Sequence, residues 1–100
     1  MAFEMLVALN VTDDETYQAY RAAMTPLLEE HGGAFGYDFR VSEVLRAETE
    51  APINRVFTLR FPSEERMKAL FANEDYLAIR QEHFVPSVGD ATIIARYERT

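Results

Sequence analysis

A period of two in the apolar residues near the start of the chain limits its fold more than any other feature. Apolar side chains alternate with the intervening positions over one stretch, namely Phe3, Met5, Val7, Leu9 and Val11. Because successive side chains of a strand point to opposite sides, this pattern predicts a β-strand with one buried face. Thr12 and Glu15 follow as a capping box, in which the hydroxyl and the carboxylate each satisfy a free backbone N–H. The chain therefore begins with a strand that leads directly into a helix.

The spacing of apolar residues after Thr12 changes to the three- and four-residue intervals of an amphipathic helix. The residues that form this stripe are Tyr17, Tyr20, Ala23, Met24, Leu27 and Leu28. Pro26 lacks a backbone donor, so we expect a kink or a short restart there, with Thr25 as a local cap. The Gly32-Gly33 pair predicts the end of the helix, because glycine readily adopts the left-handed conformation after a last turn.

The rest of the chain predicts three further strands and a second, divided helix. The predicted strands are Ala34 to Leu45, Arg55 to Phe61 and Ala91 to Glu98, and a hairpin loop spans Ala47 to Asn54. The predicted helices run from Glu64 to Ala72 and from Glu74 to Phe84. Ser63 and Asn73 are their N-caps, and Pro86 ends the second. The order is β-α-β-β-α-β within a single domain, residues 1–100. This is the α+β, ferredoxin-like arrangement, a four-stranded antiparallel sheet with both helices on one face.

The alternation also predicts which side chains lie on each face of the sheet. The set predicted under the helices is Phe3, Met5, Val7, Leu9, Phe35, Tyr37, Phe39, Phe57, Leu59, Phe61, Ile93 and Tyr97. The opposite set is Glu4, Leu6, Ala8, Asp38, Arg40, Val56, Thr58, Arg60, Ile94, Arg96 and Glu98. This second set mixes aliphatic residues with balanced charges, whereas a solvated face is usually more polar. It predicts a homodimer in which this face of the sheet packs against the same face of a second copy, with arginines paired to carboxylates across the interface. The alternative is a monomer in which this face is exposed to solvent.

Composition excludes several classes of function. The chain has no cysteine and a net charge of -7, which excludes thiolate chemistry and opposes binding to nucleic acid or an anionic membrane. Its two histidines lie far apart in sequence and lack the spacing of metal ligands. We therefore expect no metal and no cofactor, and the absence of cysteine favours a cytoplasmic location.

Candidate site residues are aromatic and basic. Tyr17, Tyr20 and Tyr37 are predicted to point into the space between helices and sheet, where phenols suit an apolar pocket with few polar groups. Tyr76, Arg80 and His83 share one face of the last predicted helix. In the catalytic hypothesis His83 carries a proton and Arg80 stabilises developing negative charge. In the alternative, these residues only pack.

Short motifs along most of the chain resemble one known family. They are Val11-Thr12-Asp13, Pro26-Leu27-Leu28, His31-Gly32-Gly33, Arg60-Phe61-Pro62-Ser63 and Asn73-Glu74-Asp75-Tyr76. This pattern is similar to the bacterial domain of unknown function 1330, within the dimeric α/β-barrel (ferredoxin-like) superfamily. The resemblance implies a sheet-to-sheet dimer and assigns no activity. Superfamily members include cofactor-independent monooxygenases and lactone isomerases that act on aromatic compounds.

Two functions stay open at this point. One is a dimer that binds a small aromatic or enolisable molecule between helices and sheet, acting as a cofactor-independent oxygenase or isomerase. The other is a non-catalytic structural or stress-associated dimer with a filled core. The presence of a cavity that contains the His83 imidazole would favour the first function.

Overall fold

The chain adopts the predicted order of elements in a computed structural model that describes residues 2–100. The elements are β1 (Ala2–Val11), α1 (Asp14–Glu30), β2 (Ala34–Arg40), β3 (Arg55–Phe61), α2 (Glu64–Ala72), α3 (Glu74–Ile79), a π-helical turn (Arg80–Phe84), α4 (Val85–Ser87) and β4 (Val88–Arg99). The four strands form one antiparallel sheet in the order β2-β3-β1-β4. This order confirms the ferredoxin-like α+β fold.

The hydrophobic core lies between one face of the sheet and the helices. Its buried strand residues are Phe3, Met5, Val7, Leu9, Phe57, Leu59 and Phe61. Its buried helix residues are Tyr17, Tyr20, Met24, Leu28, Met67, Leu70 and Tyr76. Alternation in β1 and β3 therefore predicted the buried face of the two central strands correctly. We call the opposite side of the sheet the outer face.

Helix α1 begins one residue later than the capping box predicts. Asp13 is the N-cap, and its carboxylate accepts hydrogen bonds from the backbone N–H and the hydroxyl of Thr16. The Thr12 hydroxyl instead donates to the backbone carbonyl of Ser87, which ties the start of α1 to the end of the last helical turn. A carboxylate also interacts better than a hydroxyl with the positive end of the helix dipole.

Pro26 does not divide α1 into two helices, so the predicted short restart is wrong. The helix is continuous through Pro26, and the Thr25 hydroxyl donates to the carbonyl of Arg21 within the helix rather than capping a new one. The end of the helix is as predicted, since Gly32 has a φ of 74°. A Cβ at that position would also lie 2.7 Å from Cγ of Pro62.

The second helical region is longer than predicted. Ser63 and Asn73 cap α2 and α3, as expected from the sequence. After Ile79 the backbone widens into the π-helical turn and continues through Pro86 to Ser87. Proline is tolerated there because it occupies the first turn of α4, where its missing N–H has no intrahelical partner.

A bulge in β2 reverses the predicted faces of that strand. Phe35 pairs with Leu59 and Asp38 with Phe57, so three residue steps on β2 match two on β3. Beyond the bulge, Tyr37 and Phe39 lie on the outer face, 63% and 55% exposed. Their predicted position under the helices is therefore wrong. The reversal brings Asp38 to the helix side, again opposite to the prediction.

The end of β2 is also shorter than predicted. The strand stops at Arg40 rather than Leu45. Arg40 pairs with Arg55 on the helix side of the sheet. The Arg40 guanidinium lies 3.3 Å from the Asp14 carboxylate. The following connection, residues 41–54, reaches across the outer face, since Arg46 and Ile53 line a cavity with Thr92 of the distant strand β4.

A second irregularity reverses part of β4. Leu6 pairs with Ala95 whereas Val7 pairs with Ile93, which leaves Ile94 as an extra residue. Tyr97 therefore pairs with Glu4 on the outer face, and Arg96 pairs with Met5 on the helix side. The predicted faces of Tyr97, Arg96 and Glu98 are wrong for this reason, because Glu98 pairs with inward-facing Phe3.

Ion pairs within the chain involve four of the six charged residues of the predicted interface, namely Glu4, Asp38, Arg40 and Arg60. Glu4 accepts hydrogen bonds from Tyr97 and Arg99 and lies 3.7 Å from Arg60. These contacts hold the pKa of the Glu4 carboxyl below its ordinary value, with the Tyr97 hydroxyl as the largest cause. Of the arginines predicted to reach a partner, only Arg60 lies on the outer face. The exposed part of this face is consequently more aromatic and less charged than predicted.

Candidate functional site

An open groove separates the helices from β4 on the inner side of the sheet. Its volume is about 390 Å³. Aliphatic and aromatic side chains make up most of the lining, namely Met5, Val7, Leu9, Phe57, Leu59, Phe71, Leu77, Phe84, Ala91 and Ile93. The polar lining residues are Tyr20, Tyr76, Arg80 and Arg96. A mostly apolar cleft with a few convergent polar groups is the usual form of a small-molecule site.

The hydroxyls of Tyr20 and Tyr76 form a buried pair in the groove. Their oxygens lie 2.7 Å apart although the residues are 56 positions apart in sequence. Burial raises the pKa of both phenols, and the proximity of Tyr76 adds to the effect on Tyr20. Both side chains therefore stay protonated at neutral pH. One O–H group is used within the pair, so the other is left to donate to a third atom.

Removal of one hydroxyl of this pair should lower the free energy of unfolding more than removal of both. In Tyr76→Phe the Tyr20 hydroxyl loses its partner while it remains buried, so we expect the free energy of unfolding to fall by about 1 kcal/mol. The double variant Tyr20→Phe/Tyr76→Phe should be no less stable than either single variant. Urea denaturation of the four proteins measures the coupling, and additive losses in the double variant would contradict the pairing.

Two arginines approach the groove from different elements. Arg80 begins the π-helical turn, and its guanidinium carbon lies 5.1 Å from the centre of the Phe84 ring. Arg96 comes from β4, turned inward by the extra residue in that strand. Sequence reasoning selected Arg80 and missed Arg96, because simple alternation assigns Arg96 to the outer face. Only the register between β1 and β4 could have identified it.

Tyr17 contacts Tyr20 but does not line the groove. Its ring stacks on Tyr20 with a centroid distance of 5.8 Å, and the residue is fully buried. The hydroxyl accepts a hydrogen bond of 2.7 Å from Nε of Arg21. Burial raises the pKa of this phenol as well. Tyr17 therefore supports the position of Tyr20, and its contact with a ligand stays a prediction.

The structure separates Tyr37 and His83 from the groove. Tyr37 stacks on Phe39 on the outer face, at a centroid distance of 5.9 Å, because of the bulge in β2. His83 lies in the π-helical turn, and its Nε2 is 3.8 Å from the Glu82 carboxylate. It is not among the groove residues. Its assignment as a proton carrier stays a prediction that the groove itself does not favour.

A charged cluster joins α1 to β2 and β3 beside Tyr17. Arg55 donates two hydrogen bonds to the Asp38 carboxylate, at 2.8 and 2.9 Å, and Arg21 lies 3.1 Å from it. These arginines hold the pKa of Asp38 at about 2, Arg55 having the larger effect. The Arg21 guanidinium also covers the Phe35 ring at 4.0 Å. Every charge here has a partner within the chain, so the cluster serves to fix β2 against α1.

Residues 2–100 contain no group of three His, Asp or Glu side chains placed to hold a metal ion. Within the same residues, no helix has the length and apolar character needed to cross a membrane. His31, the other histidine, has Nδ1 2.8 Å from the carbonyl of Leu27, at the end of α1. It therefore interacts with the helix terminus, and the groove lies elsewhere.

Comparison with protein families gives one match. A family model described as "Domain of unknown function (DUF1330)" covers residues 5–97. This match confirms the resemblance inferred from the sequence motifs. A search of the curated proteins returned no match.

Solved structures share the fold at low sequence identity. A protein of unknown function from Rhodopseudomonas palustris has a TM-score of 0.83 and 19% identity, over 99% of this chain and 82% of that chain. A protein from Nitrosomonas europaea, provisionally named an antibiotic biosynthesis monooxygenase, has a TM-score of 0.62 and 14% identity, over 98% and 89%. A dimeric ferredoxin-like protein of unknown function from Bacteroides fragilis has a TM-score of 0.64 and 12% identity, over 98% and 96%.

Proposed function

This chain belongs to the family of domain of unknown function 1330. Because membership of that family implies no activity, we propose its function from the groove. The protein binds a small molecule with an aromatic or enolisable body between the helices and the sheet. The observation that carries the proposal is an open apolar groove of about 390 Å³ with hydrogen-bond donors among its lining residues. This volume lies near the lower end of the roughly 300–1,000 Å³ typical of small-molecule pockets.

The polar lining groups are suited to an oxygen atom that carries negative charge. The protonated Tyr20–Tyr76 pair supplies an O–H donor, and Arg80 supplies a positive charge. Donors of this kind stabilise an enolate or phenolate more than the neutral ligand, because their interaction strengthens as charge develops. The lining contains no histidine and no carboxylate, so it offers no side chain that readily accepts a proton.

The same arrangement supports the binding hypothesis over the alternative of a filled core. An open groove is poorly compatible with a non-catalytic module whose core is filled. The absence of His83 from its lining weakens the version in which this imidazole moves a proton during a reaction. Binding is therefore the core of the proposal. A cofactor-independent oxygenase or isomerase reaction, in keeping with the name of the Nitrosomonas neighbour, is its catalytic extension.

We further propose that the protein acts as a homodimer through the outer face. Tyr37, Phe39 and Tyr97 are exposed on this face by 63%, 55% and 39%, although large aromatic side chains favour burial. Tyrosine and phenylalanine are also enriched at protein interfaces, whereas isolated charges are depleted. Two neighbours with this fold, from Bacteroides fragilis and Thermobifida fusca, are described as dimeric. Association through this face would leave the groove open on the other side of the sheet.

A groove-filling substitution tests the binding proposal. Phenols, quinones and lactones are screened by thermal unfolding. A ligand at ten times its Kd should stabilise the native state by about 1.4 kcal/mol, which raises the melting temperature by several degrees. Leu77→Trp places an indole in the groove and should abolish the rise.

Val85→Trp is the matched control, because Val85 has the same 47% exposure as Leu77 and lies outside the groove. This variant should retain the full ligand-induced rise. The binding proposal fails if no compound stabilises the wild-type protein at millimolar concentration. It also fails if Leu77→Trp responds as the wild-type protein does.

A further inference from the structure

Arg80 and Arg96 are the groove's two positive charges, and neither forms an ion pair in the part of the chain that the structure describes. Within residues 2–100, the arginines with a carboxylate oxygen inside 4.0 Å are Arg21, Arg40, Arg55, Arg60 and Arg99. The groove lining contains no aspartate or glutamate. Two arginines left without a counter-charge in one cleft point to a ligand that supplies the negative charge.

The surrounding charge makes this arrangement more significant. The chain carries 17 acidic and 10 basic residues, so its net charge is negative. The groove instead combines positive charge with apolar walls. Arg80 and Arg96 are both exposed to solvent, so a ligand that enters the groove can reach them.

The two guanidinium groups reach the groove from opposite walls. Arg80 belongs to the helical wall and Arg96 to the edge strand β4, where the extra residue Ile94 turns it inward. A guanidinium group presents its N–H groups as a planar fork that matches the two oxygens of a carboxylate. The spare O–H of the Tyr20–Tyr76 pair adds a neutral donor to the same groove.

We infer that the ligand of the groove is an organic carboxylate with an aromatic or unsaturated body. Arg80 and Arg96 bind the carboxylate, the Tyr20–Tyr76 pair donates to one of its oxygens, and the apolar walls contact the ring. This inference rests on the proposed function, since it specifies the class of molecule that the groove accepts. It also gives Arg96 a role in specificity.

Matched probes separate charge recognition from apolar binding. We use 1-naphthoate and its neutral isostere 1-naphthamide, with Kd measured by isothermal titration calorimetry at pH 7. The wild-type protein should bind naphthoate at least about 10-fold more tightly, because charge-assisted hydrogen bonds are roughly twice as strong as neutral ones. Arg80→Gln and Arg96→Gln should each lower the affinity for naphthoate about 10-fold. The affinity for naphthamide should stay within about two-fold of the wild-type value.

Two further variants control for total charge and for geometry. Arg66→Gln removes an arginine that, among residues 2–100, also has no carboxylate oxygen within 4.0 Å but lies outside the groove, so naphthoate affinity should not change. Arg96→Lys keeps the charge and removes the planar fork, so it should recover part of the affinity lost in Arg96→Gln. Circular dichroism confirms that each variant is folded.

The outcomes distinguish failure of this inference from failure of the proposed function. Equal affinity for the two probes, or equal losses in Arg66→Gln and Arg96→Gln, overturns the carboxylate assignment while groove binding stands. Binding of neutral phenols or lactones without binding of naphthoate does the same. If no probe and no screened compound binds, the proposed function fails, and the inference fails with it.

Discussion

Replacement of Tyr37 and Phe39 by glutamate is expected to convert the proposed homodimer into monomers. Both side chains are more than half exposed in the single subunit and stack on each other on the outer face. Aromatic residues at the centre of an interface each contribute about 2 kcal/mol or more. Two new carboxylates would in addition be buried without partners on association. We therefore expect the dimer Kd to rise at least about 100-fold.

Size-exclusion chromatography with light scattering at low micromolar concentration measures this effect. The wild-type protein should have twice the 11.5 kDa mass of one chain, and Tyr37→Glu/Phe39→Glu should have the mass of one chain. Val85→Glu is the control, since Val85 is a similarly exposed apolar residue on the helical side. A monomeric wild-type protein would refute the dimer. A dimeric double variant would refute this interface.

The position of the interface within the fold explains why the substitutions should act on association rather than on folding. Tyr37 and Phe39 contribute little to the core, because the bulge directs them away from the helices. The covered part of the outer face is elsewhere, where residues 41–54 approach β4. Each variant subunit should therefore keep the unfolding transition of a folded monomer.

Sequence patterns predicted the central strands and the caps of α2 and α3 because those features depend on neighbouring residues. The alternation in β1 and β3 reflects burial of one face against the helices, and no insertion disturbs the register of these strands from Phe3 to Leu9. Ser63 and Asn73 cap helices through hydrogen bonds to N–H groups two or three residues away. Local chemistry of this kind can be read from a single sequence.

The predicted faces are correct for Phe35 and Ile93 but wrong beyond the bulge of each edge strand, because the bulges depend on the partner strand. Thr58 of β3 accepts a hydrogen bond of 2.8 Å from the backbone N–H of Tyr37 through its side chain, in place of a regular ladder bond. A Cβ on Gly36 would lie 2.5 Å from the same oxygen, so the irregularity also needs a glycine there. A one-residue insertion reverses every later side chain. Nothing near Tyr37 in sequence identifies Thr58 as that partner.

The same distinction applies to the groove. Tyrosine spacing on α1 and α3 selected Tyr20 and Tyr76 as candidates, because helical periodicity directs both toward the sheet. Their direct hydroxyl contact links residues 56 positions apart and depends on how the two helices pack. Arg96 required the register of β4, and the exclusion of His83 from the lining required the course of the π-helical turn. The hydroxyl contact, the inward direction of Arg96 and the position of His83 all depend on contacts between residues that are distant in sequence.

Among the substitutions that act on folding, removal of the charge of Asp38 should lower the free energy of unfolding most. Asp38→Asn removes the charge that faces Arg21 and Arg55, whose side chains are only 14% and 11% exposed. The shift of the Asp38 pKa from 3.8 to about 2 corresponds to somewhat more than 2 kcal/mol at about 1.4 kcal/mol per pKa unit. Partial exposure of the Asp38 carboxylate reduces this through screening. We expect the free energy of unfolding to fall by about 2 kcal/mol at pH 7.

The pH dependence of this loss has a definite sign. The folded state lowers the Asp38 pKa, so the carboxylate contributes its full stabilisation above the unfolded pKa of about 4 and loses it as the pH falls toward 2. The difference between the wild-type protein and Asp38→Asn should be constant from pH 7 to about 5 and should shrink between about pH 4 and 2. Other carboxylates titrate in both proteins and cancel in the difference.

Urea denaturation at fixed protein concentration across this pH range measures the effect. Asp14→Asn is the matched control, because the Asp14–Arg40 ion pair has side chains that are 59% and 73% exposed. Exposed pairs contribute little, so this variant should lose less than about 0.5 kcal/mol at pH 7. Equal losses in the two variants would contradict the role of the cluster. A difference between the wild-type protein and Asp38→Asn that persists unchanged at pH 2 would show that charge is not the source of its stabilisation, leaving only the shape and hydrogen bonding of the Asp38 side chain.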